Sequence, residues 1–299
     1  MFNQRVFFYF GDGELCNQIF QYCFIRSHVP KKSIVITCYF EELSNLIDFN
    51  DDIKIIVIKN RIARRFCMII ANRFLKIAAK LRLLSSINVD SKIYKNTTIE
   101  GKKIIKLKGF FALTYIYPRY FQNEFFFKSK VAKDLRVKNI HKIKCQEFIN
   151  KIPSNFTPIA VHVRSQIRNG NEIETFKIFG RSTALPIDYF YDCIAWFEKN
   201  IANPYYIILS DNADYAKEKF SHLKNKVFSK NSIEVDLLII STCSYGILSN
   251  SSVSWWGSYL SKKRKKFFAP MYWMGWRSRL IMQGHGVPAY CTLIDPNKY

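Results

Sequence analysis

The chain has 299 residues, 48% of them hydrophobic and 16% aromatic, with 46 Lys+Arg against 23 Asp+Glu and a formal net charge of +23. That supply of core-forming side chains excludes a disordered chain, and 11 Gly and 9 Pro exclude a collagen-like or linker-like one. The length suits one large domain or two ordinary ones, and the charge asks for an anionic partner: nucleic acid, a membrane surface or an anionic substrate.

In chain order, residues 6–10 read as a buried first strand, not as a signal peptide. The loop Gly11-Asp12-Gly13-Glu14 follows. A helix is predicted over 17–28, where Ile19, Phe20, Cys23 and Phe24 fall at helical spacing. Residues 33–39 and 53–58 read as the next strands. This strand–loop–helix–strand order predicts a parallel sheet covered by helices. Residues 53–89 hold nine Lys/Arg and no Asp or Glu. Within them Ile62, Phe66, Ile70, Phe74, Ile77, Leu81 and Leu84 fall near one face of a basic amphipathic helix. Three readings stay open for it: a core-packed helix with a solvated polar face, contact with an anionic membrane surface, or contact with nucleic acid. No run of 18 apolar residues occurs, so no transmembrane helix is expected.

The segment 101–150 is basic and aromatic, with a turn at Tyr117-Pro118. Asn150, Pro153, Ser154, Asn155 and Pro158 then mark a boundary, dividing the chain into 1–152 and 153–299. The α/β pattern restarts beyond it. Strands are predicted at 159–163, 205–209, 227–228, 245–248 and 267–269, and helices at 186–200, 213–223, 236–241 and 254–261. The eight cysteines form no CxxC pair and no zinc-like spacing with histidine, and read as reduced thiols of a cytosolic protein.

Ligands of parallel α/β sheets bind at the carboxyl ends of the strands. Four polar clusters fall at such ends: Gly11–Gln18, His162–Arg168, Ser210-Asp211-Asn212 and Ser249–Ser254. In the first, glycines precede a helix N-terminus, which reads equally as a structural turn or an anion-binding loop. In the second, His162 and Arg164 stand two apart on a strand and project to one side, where a guanidinium suits a phosphate. The alternative is a surface Arg beside a core-edge His. In the third, Asp211 is a ligand group or part of a helix cap. In the fourth, hydroxyls and an amide meet a helix N-terminus ahead of Trp255 and Trp256, which read as packing residues or as part of the site.

Taken together the clusters resemble glycosyltransferase family 11, the α-1,2-fucosyltransferase family. Gly13-Glu14-Leu15-Cys16-Asn17-Gln18-Ile19-Phe20-Gln21-Tyr22 is similar to its G-G-L-G-N-Q-x-F-Q-Y opening. His162-Val163-Arg164 resembles its H-x-R-R-G-D, and Leu209-Ser210-Asp211-Asn212 its F-S-D-D. Asn250-Ser251-Ser252-Val253-Ser254-Trp255-Trp256-Gly257 resembles its N-S-S-F-S-W-W-G, and Ala269-Pro270 with Trp273 its A-P-x-x-W. The motifs run in order over residues 6–276. The departures are Ser165 for the second Arg, Gln166-Ile167 for the Gly-Asp after it, Glu14 and Cys16 for glycines, and Asn212 for the second Asp. Arg168 is the candidate to supply the lost charge.

The resemblance implies an α/β GT-B-like architecture, two Rossmann-like domains facing a cleft. It implies GDP-L-fucose as donor, a galactoside as acceptor and inversion at the anomeric carbon. Arg164 would hold the β-phosphate, and His162 and Asp211 the nucleoside. Asn250, Ser251 and Ser252 would line the donor site. Gly13, Asn17 and Gln18 would face the sugar and acceptor. The expected base is Glu14, with Asp12, Glu172 and Glu174 as rivals. No D-x-D is present, so no cofactor or metal is expected. The composition resembles that of AT-rich bacterial surface-polysaccharide gene products. It points to a lipid-linked acceptor such as O-antigen, reached from the inner face of the cytoplasmic membrane. The competing expectations are a transferase for another GDP-deoxysugar such as GDP-colitose, a non-catalytic nucleotide-sugar binder, and a nucleic-acid-binding protein.

Overall fold

A computed structural model describes residues 5–89, 104–165, 167–168, 171–172, 177–178, 181–273, 276–279 and 286–299. The chain divides into two compact units, Met1–Lys138 and Asn139–Tyr299. The division falls one helix before the proline-rich stretch at 150–158. That helix packs with the second unit.

The apolar N-terminal run forms β1 (Val6–Tyr9), followed by α1 (Leu15–His28), β2 (Ile34–Thr37), α2 (Glu41–Leu46) and β3 (Lys54–Val57). A helical segment comes next: α3 (Arg61–Phe66), a π turn at Cys67–Ala71 and α4 (Asn72–Lys80). It ends in a Schellman-type turn, with Arg82 left-handed at φ 58° and the Leu83 N–H donating to Ala78 O at 2.9 Å. Leu84, predicted on the helix, therefore begins β4 (Leu84–Val89), which is followed by β5 (Ile104–Leu107) and β6 (Phe111–Ile116). The sheet order is β3-β2-β1-β6-β4-β5, parallel except for β5. The order reverses between β1 and β6, so a crevice opens beyond their carboxyl ends. The half-buried Arg26 at the end of α1 lies between Asp52 and Asp134, at 3.0 and 3.1 Å.

The second unit runs α5 (Asn139–Ile149), β7 (Thr157–Val163), α6 (Ile187–Asn200), β8 (Pro204–Ser210), α7 (Ala213–Phe220), β9 (Lys226–Phe228), α8 (Ile233–Thr242), β10 (Tyr245–Ile247), α9 (Ser252–Leu260), β11 (Lys266–Pro270) and β12 (Thr292–Ile294). All six strands are parallel, in the Rossmann order β9-β8-β7-β10-β11-β12. β7 is buried from Ile159 to Val163, as a strand covered on both faces must be. Ile159, Val161, Phe190, Phe197, Tyr206 and Phe268 fill the core beneath α6 and α7. On the other side α5 packs against α8 and α8 against α9. Gly257 permits the α8–α9 approach, since a Cβ there would lie 2.6 Å from Ile240.

Candidate functional site

In the second unit the strand register brings the polar clusters together. β8 pairs with β7 so that Ser210 stands beside Val163, and β10 pairs so that Ile247 stands beside Val161. The residues just past these ends share the switch point between β7 and β10. His162 is buried there, its Nδ1 2.7 Å from Ser249 Oγ and 2.8 Å from Ser254 Oγ. Burial, reinforced by the charge of Arg164 and opposed by that of Asp211, lowers its pKa to about 4. At neutral pH it is therefore an uncharged ring that ties the end of β7 to the start of α9.

Asp211 organises the loop after β7. Its Oδ1 accepts from the Ser165 N–H at 2.8 Å and the Ser165 hydroxyl at 3.1 Å. Its Oδ2 lies 3.5 Å from Arg164 Nε, the two side chains being 21% and 22% exposed. The guanidinium is thus held at the open rim of the crevice by a fixed carboxylate. The residue that replaces the second Arg of the family pattern, Ser165, is itself part of this clamp.

The Ser249–Ser254 loop wraps the start of α9. Ser251 is the N-cap, and its hydroxyl accepts from the Val253 N–H at 3.3 Å. Ser251 and Ser252 are half-buried at the helix N-terminus, where the backbone dipole favours an anion. Asn250 is buried and donates through Nδ2 to Thr183 O at 2.8 Å. Its Oδ1 has no hydrogen-bond partner among the described residues. Trp255 and Trp256 are core residues: Trp255 stacks on Tyr259 at 4.7 Å and donates through Nε1 to Gly286 O. In the basic run at 262–266, Arg264 lies 3.6 Å from the Tyr290 ring and donates to Ser258 O at the helix end.

In the first unit the crevice between β1 and β6 is bordered by 10–14 and 117–123. Gly13 sits at φ 114°, open to glycine, and a Cβ there would lie 2.9 Å from that of Asn17. Gln18, 2% exposed, braces the loop from inside, donating to Gly13 O at 2.9 Å and accepting from the Leu43 N–H at 2.9 Å. Gln21 donates to Asp12 O at 2.6 Å. Asn17 is half-buried and accepts from Gln122. Asp12 and Glu14 stay exposed. Glu14 holds the N-cap of α1 without a side-chain cap.

Sequence reasoning missed two partners, Gln122 and Thr183. They stand 105 and 67 positions from the residues they serve, so no local pattern announces them. Gln166 and Glu174 lie outside the described residues, as do the side chains of Arg168 and Glu172.

The family model for glycosyl transferase family 11 matches residues 12–275. Among curated proteins, an α-1,2-colitosyltransferase of Escherichia coli is 29% identical over 141 residues, 40% of this chain and 46% of that protein. The O-antigen biosynthesis glycosyltransferase WbnK of Escherichia coli is 28% identical over 123 residues, 39% of this chain and 41% of that protein. The chain thus spans under half the length of these curated relatives. A mutant of Arabidopsis thaliana FUT1 solved in complex with GDP gives a TM-score of 0.55 at 9% identity, covering 89% of this chain and 70% of that one. The glycosyl transferase family 9 structure from Veillonella parvula gives 0.51 at 12% identity, covering 98% and 87%. At these identities the likeness is one of fold, and the fold is GT-B-like with Rossmann-like units.

Proposed function

The chain belongs to glycosyl transferase family 11, and from that premise we propose that it moves L-fucose from GDP-L-fucose to the 2-hydroxyl of a galactoside. The acceptor in this reading is a lipid-linked bacterial surface glycan, met at the inner face of the cytoplasmic membrane. The observation that carries the proposal is Arg164, fixed by Asp211 beside the N-terminus of α9 at the switch point of an all-parallel sheet. That pairing of a guanidinium with a helix N-terminus suits a diphosphate leaving group.

In the proposed step the acceptor hydroxyl oxygen attacks the anomeric carbon from the face opposite the nucleotide. A new glycosidic C–O bond forms. The bond between that carbon and the β-phosphate oxygen breaks, and its electron pair leaves with GDP. The acceptor proton passes to a carboxylate, which we assign to Glu14 on the exposed loop of the first unit. Arg164 and the α9 terminus stabilise the charge that develops on GDP. Asn250 Oδ1, a buried acceptor, suits an N–H or O–H of the nucleoside. Because these groups carry the phosphate charge, turnover is expected to persist in EDTA. Loss in EDTA and rescue by Mg²⁺ or Mn²⁺ contradicts that point.

A second reading, transfer of colitose from GDP-colitose, is favoured by the likeness to a colitosyltransferase. Incubation with GDP-fucose or GDP-colitose and a β-galactoside, followed by NMR of the product, tests both. A new α-1,2-fucosyl linkage supports the first reading, and an α-1,2-colitosyl linkage the second. GDP binding without transfer or hydrolysis of either donor would leave a nucleotide-sugar binder.

A further inference from the structure

The helical segment 61–80 is turned inside out. A surface helix ordinarily buries its apolar stripe. Here Ile62, Phe66, Phe74, Ile77 and Leu81 are 81%, 54%, 71%, 56% and 66% exposed. The inner face instead carries mostly small and polar residues, with Leu75 among them. Arg64 pairs with Glu41 at 2.9 Å and lies over the Tyr39 ring, and Asn72 accepts from the Tyr115 hydroxyl at 2.6 Å. Near its end Ala79 packs with Leu84 and Tyr115. The segment is therefore fastened by polar contacts and a short apolar stretch at its end, Leu75, Ala78 and Ala79, and presents most of its large apolar side chains outward.

The π turn keeps that outward side in register. From Ile62 to Lys80 an unbroken α-helix makes about five whole turns at 3.6 residues per turn, which would set a lysine directly above Ile62. The five residues of the π turn, Cys67–Ala71, wind more slowly and set the following stretch back by roughly a quarter-turn. Phe74, Ile77 and Leu81 then continue the row of Ile62 and Phe66. Arg73, Lys76 and Lys80 continue the neighbouring row of Arg61 and Arg65, all five exposed. The apolar surface extends beyond the helix to Phe110, 85% exposed, and Phe111, which are fixed by 2.9 Å bonds from their N–H groups to Arg82 O and Leu83 O. Phe110 and Phe111 also border a cleft of ≈680 Å³ lined by Arg5, Lys106 and Lys108, so cations flank the patch on this side too.

We propose that this face docks the chain on an anionic phospholipid bilayer. The helix lies in the membrane plane, its apolar row and Phe110 below the headgroups and its basic row at phosphate level. Charge selects this occupant. No Asp or Glu occurs from 53 to 89, so a second copy would set cations against cations. No helix of the described residues is long and apolar enough to cross a membrane. The face gives a structural means for the membrane location proposed above, and it depends on no step of sugar transfer.

The test is flotation of the full chain with vesicles of phosphatidylethanolamine and phosphatidylglycerol, with pure phosphatidylcholine as control. The chain is expected to float with the anionic vesicles alone, and less in high salt. Phe74→Ser with Phe110→Ser should lower the bound fraction about tenfold or more. The thermal midpoint and transfer to a soluble acceptor should be unchanged. Should the pair fail to fold by circular dichroism, Phe110→Ser alone carries the test, because Phe110 lies on a loop. Lys76→Gln with Lys80→Gln should weaken binding to the anionic vesicles. Absence of flotation, or an undiminished bound fraction in the Phe variants, overturns the proposal. So does a dimer on gel filtration that Phe74→Ser converts to a monomer, which would make a second copy the occupant. A chain that floats but transfers no sugar leaves this inference standing and removes only the transfer reading.

Discussion

In the second unit, the ends of β7, β8 and β10 set two bonded groups around a switch point: His162 with Ser249 and Ser254, and Asp211 with Ser165 and Arg164. In the first, the loops after β1 and β6 are braced by neutral amides, Gln18, Gln21 and the Asn17–Gln122 pair, while Asp12 and Glu14 remain in solvent. Similar crevices are thus furnished with opposite chemistry. One offers a fixed cation and a helix N-terminus, which suit a diphosphate. The other offers exposed carboxylates on a rigid loop, which suit proton removal from a hydroxyl. The contrast predicts that damage to the second unit is read in nucleotide binding, and damage to the first in turnover alone.

The largest effect is expected from Arg164→Ala: a loss of about 100-fold or more in rate, ~3 kcal/mol, with weaker GDP binding. Retained activity would break the comparison at its charged end. Glu14→Gln should lower turnover by about 100-fold with GDP affinity unchanged. A normal rate would transfer the role to Asp12 or another carboxylate. His162 sharpens the contrast through pH. Its pKa falls from 6.5 in the unfolded chain to about 4 in the fold, so the unfolded state takes up the proton first. Stability from this group is complete above pH 6.5 and drains away as pH falls toward 4, by on the order of 3 kcal/mol at most. Asp236, raised by burial to about 6, works in the opposite sense over nearly the same window. The melting difference between wild type and His162→Gln isolates the histidine and should shrink from pH 7 to pH 4. The smallest effect is expected from Gly13→Ala, which forces an L side chain to φ 114°. It should cost about 1–3 kcal/mol in denaturant melts of the first unit and leave GDP binding alone.

Much of this was legible in the sequence. The buried strands β1 and β7 announce themselves as apolar runs, and the polar residues just past strand ends identify both crevices. The Ser249–Ser254 loop was readable for the same reason, a hydroxyl-rich run entering an apolar helix. Three things were not. An amphipathic pattern shows that a helix has two faces but not which one the sheet receives, so segment 61–80 stayed open between core and surface. The inward turn of Gln18 depends on Leu43, 25 positions away. The end of the first unit depends on α5 finding α8, a contact across nearly a hundred residues.

The central claim, that the second unit's switch point is built for a guanosine diphosphate, is tested most directly by thermal melting of the full chain with GDP, UDP and CMP. The account predicts that GDP raises the melting temperature by several degrees at a large excess over its Kd, that UDP and CMP do not, and that Arg164→Ala abolishes the shift. Equal shifts with all three nucleotides, no shift with GDP, or a full GDP shift in Arg164→Ala would contradict it.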